Sequence, residues 1–149
     1  MLPVFFTRLK GPRKLYNLLF LPLLEQHHLT QLEADILLFL ANNPEYDTAR
    51  DIVEIRHLAK SHVSVAIDSL VERGLLQRFL LDGNRKTIHL RLTDAAAPVI
   101  EQGRAVQAQY ADLIFAGFSD RERQDLFQFL ERVSENIDSA IAEKEERRA

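Results

Sequence analysis

The hydrophobic period of this chain changes twice, and that constrains its fold more than any other feature. Between residues 30 and 73 apolar side chains recur at helical spacing, first Leu32, Ile36 and Leu40, then Val63, Ile67 and Leu70. Past Gly74 the period becomes two. From 87 to 92, Ile88, Leu90 and Leu92 point one way and Thr87, His89 and Arg91 the other, the pattern of a half-buried strand. Residues 76–81 supply a partner strand, and Asp82-Gly83-Asn84-Arg85-Lys86 between them carries strong turn chemistry. Beyond Asp94 the helical period returns, with Val99, Val106 and Leu113 seven residues apart and Tyr110 alongside. One β-hairpin with a basic tip is therefore expected inside an otherwise helical chain.

Helix starts are marked by their own chemistry. A hydroxyl at the first position and a carboxylate three residues on satisfy amides that a helix N-terminus otherwise leaves unbonded. Thr30 with Glu33, Thr48 with Asp51, and Ser119 with Glu122 all fit, so helices should begin near 30, 48 and 119. The cluster Asn42-Asn43-Pro44-Glu45-Tyr46-Asp47 ends the first of these. A further amphipathic helix over 60–73 stops at Gly74, the residue best suited to the left-handed conformation past a helix end. Only residues 57–59 separate it from the helix beginning at 48, and two helices joined so tightly must cross steeply, as in a helix-turn-helix.

The flanks are helical as well. Pro12 fits a helix start, Leu15, Leu18, Leu19 and Leu23 fit an apolar face, and Pro22 should kink or interrupt it. After the hairpin, Thr93 or Asp94 can cap a helix of up to about 23 residues in which Pro98 falls in the tolerant first turn. The last helix carries the stripe Leu126, Leu130, Val133, Ile137 and Ile141, and its charged end, 143–148, is expected to fray.

Several functional classes are excluded. Among 149 residues there is no cysteine, hence no disulfide framework, thiolate nucleophile or cysteine-based metal centre. No phosphate-cradling glycine loop or nucleophile elbow occurs, and the carboxylates sit at helix caps or on solvated faces, so no enzyme is expected and no cofactor. The five histidines show no i, i+4 chelating pair, and no metal site is expected. The longest apolar run, 15–24, contains Asn17 and Pro22 and is about half the length needed to cross a bilayer. Arg8, Lys10, Arg13 and Lys14 precede that run, but Glu25-Gln26-His27-His28 follow it with no small-residue cleavage site, so it is not expected to act as a signal peptide. A cytoplasmic protein without membrane contact is expected.

Net charge is −3, yet the basic residues are concentrated. Between 56 and 91, Arg56, Lys60, Arg73, Arg78, Arg85, Lys86 and Arg91 face only Asp68, Glu72 and Asp82, a local charge of +4 between acidic flanks. A helix, a helix-turn-helix and a basic hairpin in that order make a winged helix-turn-helix. Its second helix suits the major groove, and its hairpin suits an adjacent minor groove or phosphate backbone.

These residues resemble the MarR family of bacterial winged-helix transcriptional regulators. The resemblance covers roughly 29–94: Leu29-Thr30-Gln31 opening a helix, Lys60-Ser61-His62-Val63-Ser64 opening the recognition helix, Leu70-Val71-Glu72-Arg73-Gly74-Leu75-Leu76 closing it, and Leu90-Arg91-Leu92-Thr93 after the wing. It implies a homodimer that binds a pseudo-palindromic operator on double-stranded DNA, often as a repressor released by a small-molecule effector. It also implies three parts: an N-terminal dimerisation region over 1–28, the DNA-binding domain over 29–94, and C-terminal dimerisation helices over 95–149.

Projected at 100° per residue, the recognition helix sets Ser61, Val65, Asp68 and Glu72 opposite its buried stripe, with His62 and Ser64 on the flanks. Ser61, His62 and Ser64 are the expected base or backbone contacts, and Lys60, Arg85 and Lys86 the expected phosphate or minor-groove contacts. Two positions depart from the family. Its wing usually reads Asp-Arg-Arg where this chain has Asn84-Arg85-Lys86, so the bracing ion pair of Arg78 is expected to fall to Asp82. Val65 stands where a polar or basic residue is common and offers only apolar contact, for instance to a thymine methyl. The aromatics Phe5, Phe6, Tyr16, Phe20, Phe39, Tyr110, Phe115, Phe118, Phe127 and Phe129 fit either a core or an effector pocket, and the sequence assigns no pocket. A winged helix that binds protein rather than DNA is the alternative, since Asp68 and Glu72 lie on the outward face.

Overall fold

A computed structural model describes residues 10–148; Phe5 and Phe6 lie outside the described residues. Its elements are α1 (Lys10–His27), α2 (Gln31–Asn42), α3 (Ala49–Arg56), α4 (Lys60–Glu72), β1 (Leu76–Leu81), β2 (Asn84–Leu92), a 3₁₀ turn (Asp94–Ala96), α5 (Ala97–Ile114) and α6 (Asp120–Glu146). This is the expected mainly helical winged helix-turn-helix. The chain divides into two compact units, 1–110 and 111–149.

All three hydroxyl–carboxylate pairs close complete capping boxes. Thr30, Thr48 and Ser119 each accept from the backbone N–H three residues on, while Glu33, Asp51 and Glu122 accept from the N–H of the capping residue. The core of the first unit is built on α2, in which every residue from Glu33 to Leu40 is buried. Phe20 and Leu23 of α1, Ile52 of α3, the Val63, Ala66, Ile67 and Leu70 stripe of α4, Leu76 and Leu90 of the hairpin, and Val99 of α5 close around it. Gly103 lets α5 approach: a Cβ there would lie 2.9 Å from both methyl carbons of Leu38.

Three expectations change. In α1 the buried face is Phe20 and Leu23, flanked by Tyr16 and Leu24, whereas Leu18 is 53% exposed. The helix also runs unbroken through Pro22, which lies on its exposed side, where a carbonyl left without its helical donor can bond water. In β2, Ile88 does not share the burial of Leu90: it is 52% exposed, because the hairpin extends past the body of the domain.

In the second unit α6 spans 27 residues, about 40 Å at 1.5 Å per residue, and continues to Glu146 through the end expected to fray. None of its residues is buried. Leu130, Val133, Ile137 and Ile141 are each about half exposed and form a continuous apolar stripe. No described helix is long and apolar enough to cross a membrane.

Candidate nucleic-acid interface

The turn between α3 and α4 is set by His57, whose left-handed backbone (φ 51°) closes α3 with its N–H bonded to Val53 O. Leu58 N–H bonds the same carbonyl at 3.2 Å. Helix α4 then starts at Lys60 behind Ala59, which provides no side-chain cap, and its first turn holds no acid. Its leading amides are thus left without the side-chain acceptors that serve α2, α3 and α6, and a helix N-terminus of this kind favours an anion. Burial of Val63, Ala66, Ile67 and Leu70 fixes the helix rotation, so Ser61, His62, Ser64, Val65 and Asp68 face outward. Val65, 69% exposed, is the most open of the large apolar side chains among the described residues.

In the wing, Leu76 pairs with Leu92, Arg78 with Leu90, and Leu80 with Ile88. Register then slips: Leu81 pairs with Asn84, and Arg85, Lys86 and Thr87 have no partners opposite them. Asn84 organises this loop. Its Oδ1 accepts from the N–H groups of Lys86 (3.1 Å) and Thr87 (3.3 Å), so a neutral amide side chain holds Arg85 and Lys86 out on a braced loop. Both cations are exposed.

Arg78 is paired, but with Asp68 of α4 rather than with Asp82. Register explains the difference. Arg78 sits opposite the buried Leu90 on the sheet face turned to α4, whereas Asp82 is four residues on, about 13 Å along the hairpin. The pair ties wing to recognition helix and neutralises an acid on the outward face of α4.

Lys60 and Lys86 line one groove of about 660 Å³, with Thr48, Arg50, Val53, Thr87 and Ile88. The structure thereby brings together the start of the recognition helix and the wing loop, which are 26 residues apart in sequence. Sequence marks Thr48 only as a helix cap and Ile88 only as a strand residue, and gives Arg50 no role. Arg50 follows a helix cap, where a basic residue has no particular meaning, and its guanidinium bonds Glu54 at 2.7 Å. His62 and Val65 line a separate groove of about 350 Å³ with Thr30, Leu32 and Ser69.

Among the described residues no three His, Cys, Asp or Glu side chains gather as a metal site would require. His27 Nε2 lies 2.9 Å from Gln102 Oε1, and His89 Nδ1 2.7 Å from Asp47 Oδ1, fastening β2 to the loop before α3. Of the aromatics, Tyr16, Phe20 and Tyr110 pack together: Tyr16 meets Phe20 at 4.6 Å between ring centroids and Tyr110 at 5.3 Å. In the second unit Phe115 packs edge-on against Phe118 and Phe127.

By fold this is a winged helix-turn-helix protein. Residues 27–83 match the model of the MarR family, so the resemblance read from the sequence holds over all of the helix-turn-helix and the first strand of the wing. Solved structures share the fold over nearly the whole chain. The transcriptional regulator PA3341 aligns with TM-score 0.80 at 23% identity, over 91% of this chain and 98% of that one. A MarR family transcriptional regulator from Listeria monocytogenes, complexed with 26mer DNA, aligns with TM-score 0.76 at 20% identity, over 92% and 88%. BpsR of Bordetella bronchiseptica, whose DNA binding is regulated by 6-hydroxynicotinic acid, aligns with TM-score 0.66 at 20% identity, over 86% and 96%.

Proposed function

We propose that this chain is a DNA-binding transcriptional regulator, acting as a homodimeric repressor on a pseudo-palindromic operator. The observation that carries the reading is the shared groove of Lys60 and Lys86, beside the outward face of α4. Major-groove recognition uses the N-terminal half of such a helix, while cations on an adjacent hairpin contact phosphate or minor groove. In this reading Ser61, His62, Ser64 and Val65 meet bases or nearby backbone, and Lys60, Arg85 and Lys86 meet phosphates. Arg78 supports the wing through Asp68.

The dimer would form through the parts flanking the DNA-binding domain, 1–28 and 95–149. The half-exposed stripe of α6 supports this, since an apolar face running from Leu130 to Ile141, about 17 Å along the helix, is costly to leave in water. Pairing sets two recognition helices about one DNA turn, 34 to 36 Å, apart. A small molecule that binds one spacing better than the other would release the operator by population shift, to the extent of its differential affinity. The Bordetella protein, regulated by 6-hydroxynicotinic acid, is a precedent within this fold.

Salt titration tests the reading, using a duplex from upstream of the protein's own coding region. Binding that neutralises six or more phosphates should weaken by about a thousandfold between about 50 and about 200 mM salt. A flat response, or no binding, would reject it and assign the outward face of α4 to a protein partner.

A further inference from the structure

The C-terminal end of the recognition helix is bolted to α1 by one side chain. Helix α1 ends in a left-handed residue, His28 (φ 51°), a conformation that costs a side-chain-bearing residue energy unless its surroundings enforce it. Leu29 N–H reaches back to Leu24 O at 3.0 Å, which leaves the carbonyls of His27 and His28 without helical donors. Arg73 supplies both. Its Nη2 donates to His27 O at 2.6 Å and its Nη1 to His28 O at 2.9 Å, and the same guanidinium lies 3.8 Å from the buried Glu33 carboxylate at the start of α2. Arg73 is itself the residue that ends α4, followed by Gly74 at φ 73°. Gly74 O and Leu75 O in turn accept from Thr93 Oγ1 (2.6 Å) and Thr93 N–H (3.2 Å), where β2 leaves for α5.

The end of α4 away from the candidate DNA face is thus a pivot, held toward α1 by the planar fork of Arg73. From that pivot the 13-residue helix reaches about 20 Å to Lys60, so a tilt of a few degrees moves the reading end by more than 1 Å. Helix α1 also presents an apolar edge outward, Leu18 and Leu21, at 53% and 47% exposure. We propose that Arg73 is a positioning residue that sets the orientation of the recognition helix relative to α1, and through it the operator spacing the dimer accepts. The spacing part rests on the dimeric DNA-binding reading above.

Lysine offers one compact ammonium in place of a two-pronged planar donor, so Arg73→Lys keeps the charge near Glu33 but cannot hold both carbonyls in fixed geometry. Arg104 gives a matched control. It also caps a helix end, donating to Ala41 O at 2.8 Å and Asn42 Oδ1 at 3.0 Å, but it touches α2 and not α4. Arg104→Lys should therefore cost comparable thermal stability without loosening the recognition helix.

Two measurements on the full chain test the proposal, with Arg73→Gln as a second variant should Arg73→Lys fail to fold. Because the chain lacks cysteine, Lys14→Cys and Ser61→Cys place spin labels on α1 and at the start of α4, and labelled chains diluted with unlabelled protein report the distance between them. Arg73→Lys should broaden that distribution while wild type and Arg104→Lys stay narrow; an unchanged distribution overturns the proposal whatever the protein binds. The second uses duplexes selected from a random pool and rebuilt with half-sites one base pair closer or farther. Wild type and Arg104→Lys should favour the selected spacing by about tenfold, a preference Arg73→Lys reduces to roughly threefold or less. A wild type that selects no duplex refutes the DNA-binding reading, whereas a variant that binds with the wild-type preference refutes only the role of Arg73 in spacing.

Discussion

Asp68, on the outward face of the recognition helix, is ion-paired with Arg78 of the first wing strand. The pair joins the two elements proposed to enter adjacent grooves, and it silences one acid and one base on the same surface. Both side chains are more than a third exposed, so its contribution to stability is small.

Asp68→Asn should therefore leave the midpoint of thermal unfolding nearly unchanged while releasing Arg78 toward a phosphate. Each additional phosphate neutralised adds about 0.9 to the magnitude of the salt slope, so log affinity against log salt should steepen by about that much. An unchanged slope would mean that Arg78 stays out of reach of the duplex.

The wing loop and the recognition helix should fail in different ways. Arg85→Ala with Lys86→Ala should weaken binding to all duplexes alike and reduce the slope by roughly 2, one unit for each lost phosphate contact. His62→Ala should instead change which sequences are preferred, with the slope nearly kept. Equal effects from the two variants would contradict this division of labour.

Two carboxylates on α2, two residues apart, should respond to pH with opposite signs. Burial raises the Asp35 pKa, and a hydrogen bond from Gln31 with the charges of Arg56 and Arg13 only partly offsets it. For Glu33 burial again acts upward but is outweighed by hydrogen bonds from Ser69 and Thr30 and by the charge of Arg73, so its pKa falls. A raised carboxyl contributes stability that is present below its unfolded pKa and lost as pH rises through the folded one. A lowered carboxyl contributes stability that is present above its unfolded pKa and lost as pH falls through the folded one. From acid to neutral pH, urea unfolding should thus show wild type losing ground to Asp35→Asn and gaining on Glu33→Gln. Parallel profiles would show that neither burial nor pairing governs these groups.

Gly103→Ala should destabilise the protein by about 1 to 3 kcal/mol, although alanine is the better helix former, because the new methyl overlaps the buried Leu38 side chain. Adding Leu38→Val should recover part of the loss in urea unfolding. A Gly103→Ala protein as stable as wild type would mean that α2 and α5 are not packed this closely.

What could be read from sequence was what depends on short stretches of chain. Thr30, Thr48 and Ser119 announce their helices because each cap is completed within three residues, and the hairpin is announced by alternation around Asp82-Gly83. The face of α1 is only partly legible, because residues 15–24 are apolar on nearly every side, so Leu18 and Phe20 fit equally well until α2 is in place. Asp68 could not be recognised as the partner of Arg78, since their meeting depends on how the hairpin lies against α4. Asn84 looked like a loss of charge, yet its role is to accept backbone N–H groups from the loop that carries Arg85 and Lys86, which needs an oxygen and no charge. Sequence places Arg73 in the basic segment and at a helix ending but does not connect it to α1, because the carbonyls it holds lie about 45 residues earlier.

Selection from a pool of fully randomised duplexes, with bound sequences read out directly, tests the central claim in one step. Two recognition helices carried by a symmetric pair should enrich inverted repeats whose half-site centres lie about 10 base pairs apart. A pool that emerges as random as it entered would contradict the account.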